Sequence, residues 1–260
     1  MVNLIWAEWY KLRKSVAIRI LIFITGICAV VMALFAHLIA EGKMAESMGN
    51  LGFMFSDMNV ISILGAVIAG VYICGDFDNK TIHHMIAGGK SRGTVVAGKA
   101  VIIACGLVLI LLPYVIVTAA ALMSGLAFDM QAAGLGFLNL LSAMPGTFSA
   151  AEAGKLAALM LTLIIVYIAQ LSITLPLALM LRKPVLVIVI YYAFSILCGQ
   201  LAGLGGLDTW LNLTPYGTDH VLLGADSGYA EMLQSIGISV VFVLAMLLLS
   251  YLVFRRAELK

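Results

Sequence analysis

The sequence predicts an all-α membrane protein of six transmembrane helices with both termini in the cytoplasm. It also predicts a short interfacial helix before the first span and a short helix between spans 2 and 3. Three observations carry this. First, 63% of the 260 residues are hydrophobic and only 11% charged, with a mean hydropathy of +1.11. A soluble domain carries about a quarter charged residues, and a soluble fold of this size needs a polar shell, so lipid must cover much of the apolar surface. Second, six runs approach or exceed the roughly 20 apolar residues that a spanning helix needs. Third, basic residues sort to one side. Six spans place 13 of the 15 lysines and arginines together, leaving only Lys43 and Lys155 opposite. Such residues gather in cytoplasmic loops, and five or seven spans would scramble the sorting.

At the N-terminus, Leu4, Ile5, Trp9 and Leu12 share a face at helical spacing, with Glu8, Lys11 and Lys14 largely opposite. Aromatic rings favour the headgroup level and cations favour anionic lipid, so residues 3–14 read as a helix lying on the inner leaflet. A plain positive-inside anchor is the alternative. The first span follows at about 16–40, flanked by Lys11, Arg13, Lys14 and Arg19. It is too long for the h-region of a signal peptide, about 7–15 residues, and is expected to be retained.

The second span is expected at about 58–74, and a longer cytoplasmic loop, Gly75 to Lys99, follows it. In that loop Asp78 or Asn79 is placed to cap a helix from Thr81 to Ala87, which Gly88–Gly89 would end. Phe77, Ile82, Met85 and Ile86 would give it an apolar face suited to a soluble partner's groove; a solvated loop on lipid headgroups fits the pattern equally. The remaining spans are expected at about 100–124, 156–181, 184–204 and 234–254. Arg182 and Lys183 form the turn between the fourth and fifth, and Arg255, Arg256 and Lys260 end the chain. Outer loops carry acidic residues instead, among them Glu41, Glu46, Asp57, Asp129, Asp219 and Glu231. The whole chain, 1–260, reads as one transmembrane domain.

Polar residues inside spans are costly and often functional. Asn59, Gln170, Thr174 and Gln200 are candidates for a translocation path, or for interhelical hydrogen bonds that hold the bundle. Pro113 and Pro176 are expected to kink their helices. Cys28, Cys74, Cys105 and Cys198 fall in separate apolar runs without ligand spacing, which reads as packing rather than a metal or redox site. No catalytic set emerges. There is no GxxxxGK[ST] loop to hold ATP, no His and Ser facing each other within spans, no pair of aspartates at membrane depth and no HExxH. The small net charge of +2 points away from nucleic acid.

Several of these features together resemble ABC-2-type permeases, the membrane subunits of bacterial ABC exporters. Glu8, Lys11 and Arg13 look like the acidic-x-x-Lys-x-Arg pattern of that family's N-terminal elbow helix. Asp76 to Thr81 resemble its acidic stretch leading to a Thr, with Lys80 where the family commonly has Gly. Ser91–Arg92 and Lys99 resemble its Ser-Arg and Lys before the third span. The resemblance covers the whole chain in layout and about 30 residues in motif. It implies a permease subunit in a bacterial plasma membrane, paired with a second permease copy or a homologue and with two copies of an ABC ATPase. ATP and magnesium would be bound by that ATPase, not by this chain. Asp76, Phe77, Asp78, Thr81, Ile82, Met85, Ile86 and Arg92 would then couple to the ATPase, and Glu8, Trp9, Lys11 and Arg13 would form the interfacial helix. Trp210, Pro215 and Tyr216 would belong to short re-entrant helices that close an outer gate. Small size and short outer loops look most like permeases that export peptide antibiotics, lantibiotic and bacitracin self-protection included; sodium-efflux permeases look similar. A non-transporting assembly or sensor subunit that recruits a soluble partner through the same loop is the alternative from another class.

Overall fold

In lipid a chain meets its backbone hydrogen bonds within helices, and the apolar runs do so. The computed structural model describes residues 2–45, 48–129, 134–143, 150–202, 208–224 and 226–256, and every regular element among them is helical. Glu46, Lys260 and the expected end of the fifth span at Leu204 lie outside the described residues. Among the described residues six helices are long and apolar enough to cross a membrane: Val16–Ala40, Gly49–Asp78, Arg92–Met123, Glu152–Leu181, Pro184–Leu201 and Tyr229–Arg256.

Helix α1 (Val2–Lys14) turns at Ser15, whose backbone is extended, into α2 (Val16–Ala40), the first span. The second span is built from pieces. A short α3 (Gly49–Met54) precedes α4 (Asp57–Ala69), which runs through a π-helical segment, Gly70–Cys74, into α5 (Gly75–Asp78). It therefore starts earlier and ends later than its hydropathy predicts. α6 (Thr81–Ala87) has the expected bounds, but its N-cap is Lys80 and no side chain caps it. Asn79 bonds back to the Gly75 carbonyl at 2.8 Å instead. Gly88 and Gly89 close α6, Gly89 at φ +81°.

The third span, α7 (Arg92–Met123), starts about two turns before the expected Ala100 and runs unbroken through Pro113. Ser91 caps it, accepting from the Thr94 N–H at 3.2 Å. Arg92 and Lys99 thus stand on the first turns of a spanning helix rather than in a loop. α8 (Phe137–Ala143) follows on the opposite side of the bundle. The fourth span divides into α9 (Ala150–Leu171) and α10 (Thr174–Leu181). Pro176 has no N–H to continue the ladder, and Leu175 N–H bonds the Ser172 carbonyl at 3.1 Å across the break. The fifth span is α11 (Pro184–Ala202). The short helices α12 (Asp208–Leu211) and α13 (Thr218–Val221) then lead to α14 (Tyr229–Arg256), the sixth.

Spans 2 and 4 form the centre, and spans 5 and 6 the periphery: 67% of the most apolar stretch of Gly49–Asp78 is buried, against 11% of that of Tyr229–Arg256. Glycine allows the close approaches. A Cβ on Gly70 would sit 3.1 Å from Pro184 Cβ, and one on Gly65 within 3 Å of Leu107 and Leu171.

Candidate functional site

Three clusters of polar residues stand out, one at the basic end and two toward the opposite end. At the basic end the Lys99 ammonium donates to both the Glu8 and the Asp76 carboxylates, while Lys11 donates to the other oxygen of Asp76. Glu8, Asp76 and Lys99 are buried, and Lys11 is half-exposed. Two acids and two bases balance. They tie α1 and α7 to the junction where the π segment passes into α5.

Sequence spacing placed Glu8 on the polar face of α1, opposite Leu12. The structure corrects this: Glu8 and Leu12 are both buried, because Lys99 lies beneath Glu8. Trp9 is half-buried, and Trp6, Tyr10, Lys11 and Arg13 reach the surface.

The residues grouped for coupling divide in the same way. Asp76, Phe77 and Ile82 are buried within the bundle. Thr81, Met85, Ile86 and Arg92 are half-buried and Asp78 is exposed. Phe77 packs edge-on against Phe254, and the Arg182 guanidinium lies 4.8 Å from the Phe77 ring centre. Arg92 donates to the Phe254 and Arg255 carbonyls at 2.7 and 2.6 Å, satisfying the end of α14. Three of the eight residues expected to meet a partner are therefore internal scaffolding, and α6 stands on it. Lys80 holds φ +55° at the start of α6, a left-handed conformation that glycine adopts more freely.

The second cluster was not foreseen. Asp57 was read as an outer-loop acid; it is fully buried at the start of α4. Its carboxylate accepts the Tyr167 hydroxyl and, at 3.0 Å, the Phe137 N–H at the start of α8. Its Oδ1 has no partner among the described residues. Gly136 makes this approach possible: φ is +64°, and a Cβ there would lie 2.2 Å from both Asp57 Oδ2 and the Tyr167 hydroxyl oxygen. α8 in turn holds the segment before α14. Gly136 N–H donates to the Val221 carbonyl at 2.8 Å, and the Asn139 amide to the Leu222 and Leu223 carbonyls at 3.0 Å.

The third cluster joins two sets that the sequence kept apart. The Gln170 amide donates to the Pro215 carbonyl at 2.8 Å, and the Tyr216 hydroxyl donates to the Gln170 carbonyl. The Tyr216 ring packs edge-on against Phe194 and Phe242, with centroids 5.2 and 6.1 Å away. Those two residues lie near the middle of α11 and of α14. The segment between α12 and α13 therefore descends to the mid-depth of the spans. Pro215 and Tyr216 are buried at its tip, while Trp210 is 72% exposed.

Of the other pathway candidates, Thr174 is buried and its hydroxyl donates back across the break in the fourth span to the Leu171 carbonyl at the end of α9, 2.6 Å away. Asn59 donates to the Phe53 carbonyl at 2.9 Å. Asn59 and Gln200 line one cavity of about 190 Å³ with Phe53, Met58, Tyr192 and Ser195. It lies between spans 2 and 5, and Gln200 is exposed on it.

Sequence reasoning passed over Asp57, Tyr167 and Ser195. One signal was available, an acid at the very start of a span. Pattern alone does not tell such residues from ordinary packing.

Comparison with known proteins accords with this arrangement. A family model described as ABC-2 family transporter protein matches residues 4–199, which takes in α1, the charge cluster, α6 and five of the six spans. No curated protein matches the chain. The chain is a multi-pass membrane permease that belongs to the ABC-2 family of transporter proteins.

Proposed function

We propose that this chain is the permease subunit of an ATP-driven exporter in a bacterial plasma membrane, moving an antimicrobial peptide or another amphipathic compound out of the cell or the membrane. Family membership supports transport and implies work with an ABC ATPase. In this reading the basic end faces the cytoplasm, two ATPase copies dock there, and a second permease copy completes the path.

The observation that carries the reading is the way α6 is mounted. It follows the second span directly, with Ile82 fully buried as its anchor and the charge cluster fixing the Asp76 junction behind it. Load on α6 then reaches α1 and α7 as well as α4. Direct contact with an ATPase falls to the accessible residues Asp78, Thr81, His84 and Met85.

The cavity of Asn59 and Gln200 supports an amphipathic cargo, since amide and hydroxyl groups stand there beside Phe53, Met58 and Tyr192. A polar Gln200 exposed on a spanning helix costs free energy against lipid. A water-filled path or a second permease copy on that face removes the cost.

The test is co-purification with the ATPase after Asp78→Ala, His84→Ala and Met85→Ala. Loss of binding and of ATPase stimulation, with the melting temperature of the permease unchanged, is the expected result. Undiminished binding by the triple variant overturns the coupling role of α6.

A further inference from the structure

We propose that α14 and the segment before it form a binding site for a cationic amphipath, with an acidic pocket for an ammonium head and an apolar trough for its tail. The site consists of two cavities that share Gln234. One, of about 380 Å³, is lined by Asp219, His220, Ser227, Glu231, Gln234 and Ser235, with Leu222 as its one apolar residue. The other, of about 460 Å³, is lined by Leu213, Gln234, Gly237, Ile238, Val241, Phe242 and Ala245. Neither shares a residue with the cavity of Asn59 and Gln200, so the inference goes beyond the export reading.

Helical spacing joins the two cavities. Glu231, Gln234, Ile238, Val241 and Ala245 recur every three or four residues and share one face of α14. From Gln234 to Ala245 that face runs roughly 16 Å at 1.5 Å per residue. Leu213 and Asp219 come from the segment that stands against it. His220 holds that segment to α14: its Nε2 donates to the Asn212 carbonyl at 2.9 Å, and its Nδ1 meets the Ser235 hydroxyl at 2.8 Å. Both ring nitrogens are thus engaged within the protein, and His220 is a wall of the pocket rather than a contact for the head. Gly237 keeps the trough open, since no heavy atom lies within 4 Å of a Cβ built there.

Charge decides the occupant. Asp219 uses one oxygen to accept from the Asn212 amide at 2.6 Å, and Glu231 uses one to accept from the Gly228 N–H at 3.1 Å. The second oxygen of each has no partner among the described residues, and no lysine or arginine lines the pocket. A phospholipid phosphate would meet two like charges there and no cation. An ammonium instead brings three donors to these acceptors, and hydrogen bonds between ionised groups are the stronger kind. Its hydrocarbon tail then lies along the trough, over the exposed Leu213 and Val241. A few polar groups beside an apolar channel is the usual make-up of a small-molecule site.

The test is equilibrium binding of radiolabelled dodecylammonium to the full chain in phosphatidylcholine nanodiscs, with empty nanodiscs subtracted and with butylammonium and dodecanol as comparison probes. Saturable binding of dodecylammonium, tighter than that of either comparison probe, is the expected result. Asp219→Asn with Glu231→Gln, which keep the shape and the hydrogen bonds within the protein, should weaken both ammonium probes about tenfold and leave dodecanol unchanged. Gly237→Leu, which fills the trough, should weaken dodecylammonium and dodecanol but not butylammonium. No saturable binding, dodecanol bound as tightly as dodecylammonium, or an undiminished affinity in the carboxylate double variant overturns the proposal. So does displacement of the probe by phosphatidylethanolamine at equal mole fraction, which would assign the groove to ordinary lipid. Melting of each variant at the wild-type temperature shows that the fold is kept. The measurement needs no ATPase, so its failure is distinct from failure of the export reading.

Discussion

Lys99 shows how much a single side chain decides. Removing one partner of a buried pair leaves an uncompensated charge. Lys99→Met strands the buried Glu8 and leaves Asp76 with Lys11 alone. A loss of about 3–5 kcal/mol is expected in detergent unfolding, and adding Glu8→Gln should recover part of it. If the single and double variants melt alike, Glu8 is not held by Lys99. Lys80 tests the opposite sign. Its left-handed backbone is strained for an L residue by about 1–2 kcal/mol. Lys80→Gly should recover part of that strain and raise the melting temperature, whereas Lys80→Val should lower it. The sequence contained these residues but not their pairing, since Glu8 and Lys99 are 91 positions apart. Periodicity, which knows only α1 itself, assigned Glu8 to solvent.

Among the elements, the breaks in the helices matter more than their lengths. The π segment Gly70–Cys74 lies one turn from the charge cluster and packs on the start of α11. Gly70→Leu would drive a side chain into the backbone of Pro184, 3.2 Å from the ideal Cβ. Overpacking of this kind costs about 1–3 kcal/mol, and a melt of the purified variant measures it. Toward the other end, Gly136→Ala combines a positive φ with a collision against Asp57 and Tyr167. It should free α8 and, through Asn139, the segment at Leu222 and Leu223; faster exchange at 137–143 and 221–223, with the basic end unchanged, is the expected pattern. Existence and order of the six spans were legible because about 20 apolar residues in a row leave few other folds in lipid. Span ends were less so. Arg92 and Lys99 look like loop residues until they are seen to be met by the α14 carbonyls and by Glu8 and Asp76.

For the molecule as a whole, charge sorting predicts an orientation that labelling can check. A single cysteine at Asp78 and one at Asp219, each in a chain stripped of its four native cysteines, should react with impermeant maleimide from opposite sides of sealed vesicles. Labelling of both from the same side would refute the six-span topology. The peripheral spans 5 and 6 present apolar surface to whatever surrounds the chain, and the amide-lined cavity opens on that surface between spans 2 and 5.

Sequence by itself determined the membrane setting, the span count, the segment that becomes α6 and the residues that carry the family likeness. These are local properties, read from composition, from runs of about 20 residues and from which loops hold charge. Only the tertiary structure decided that Asp76, Phe77 and Ile82 are scaffold rather than surface, that Asp57 is buried, and that Gln170 grips the tip at Pro215 and Tyr216. Each of those depends on what stands opposite a side chain. In an apolar bundle a polar group is settled by the one partner that satisfies it, and that partner comes from a distant part of the chain.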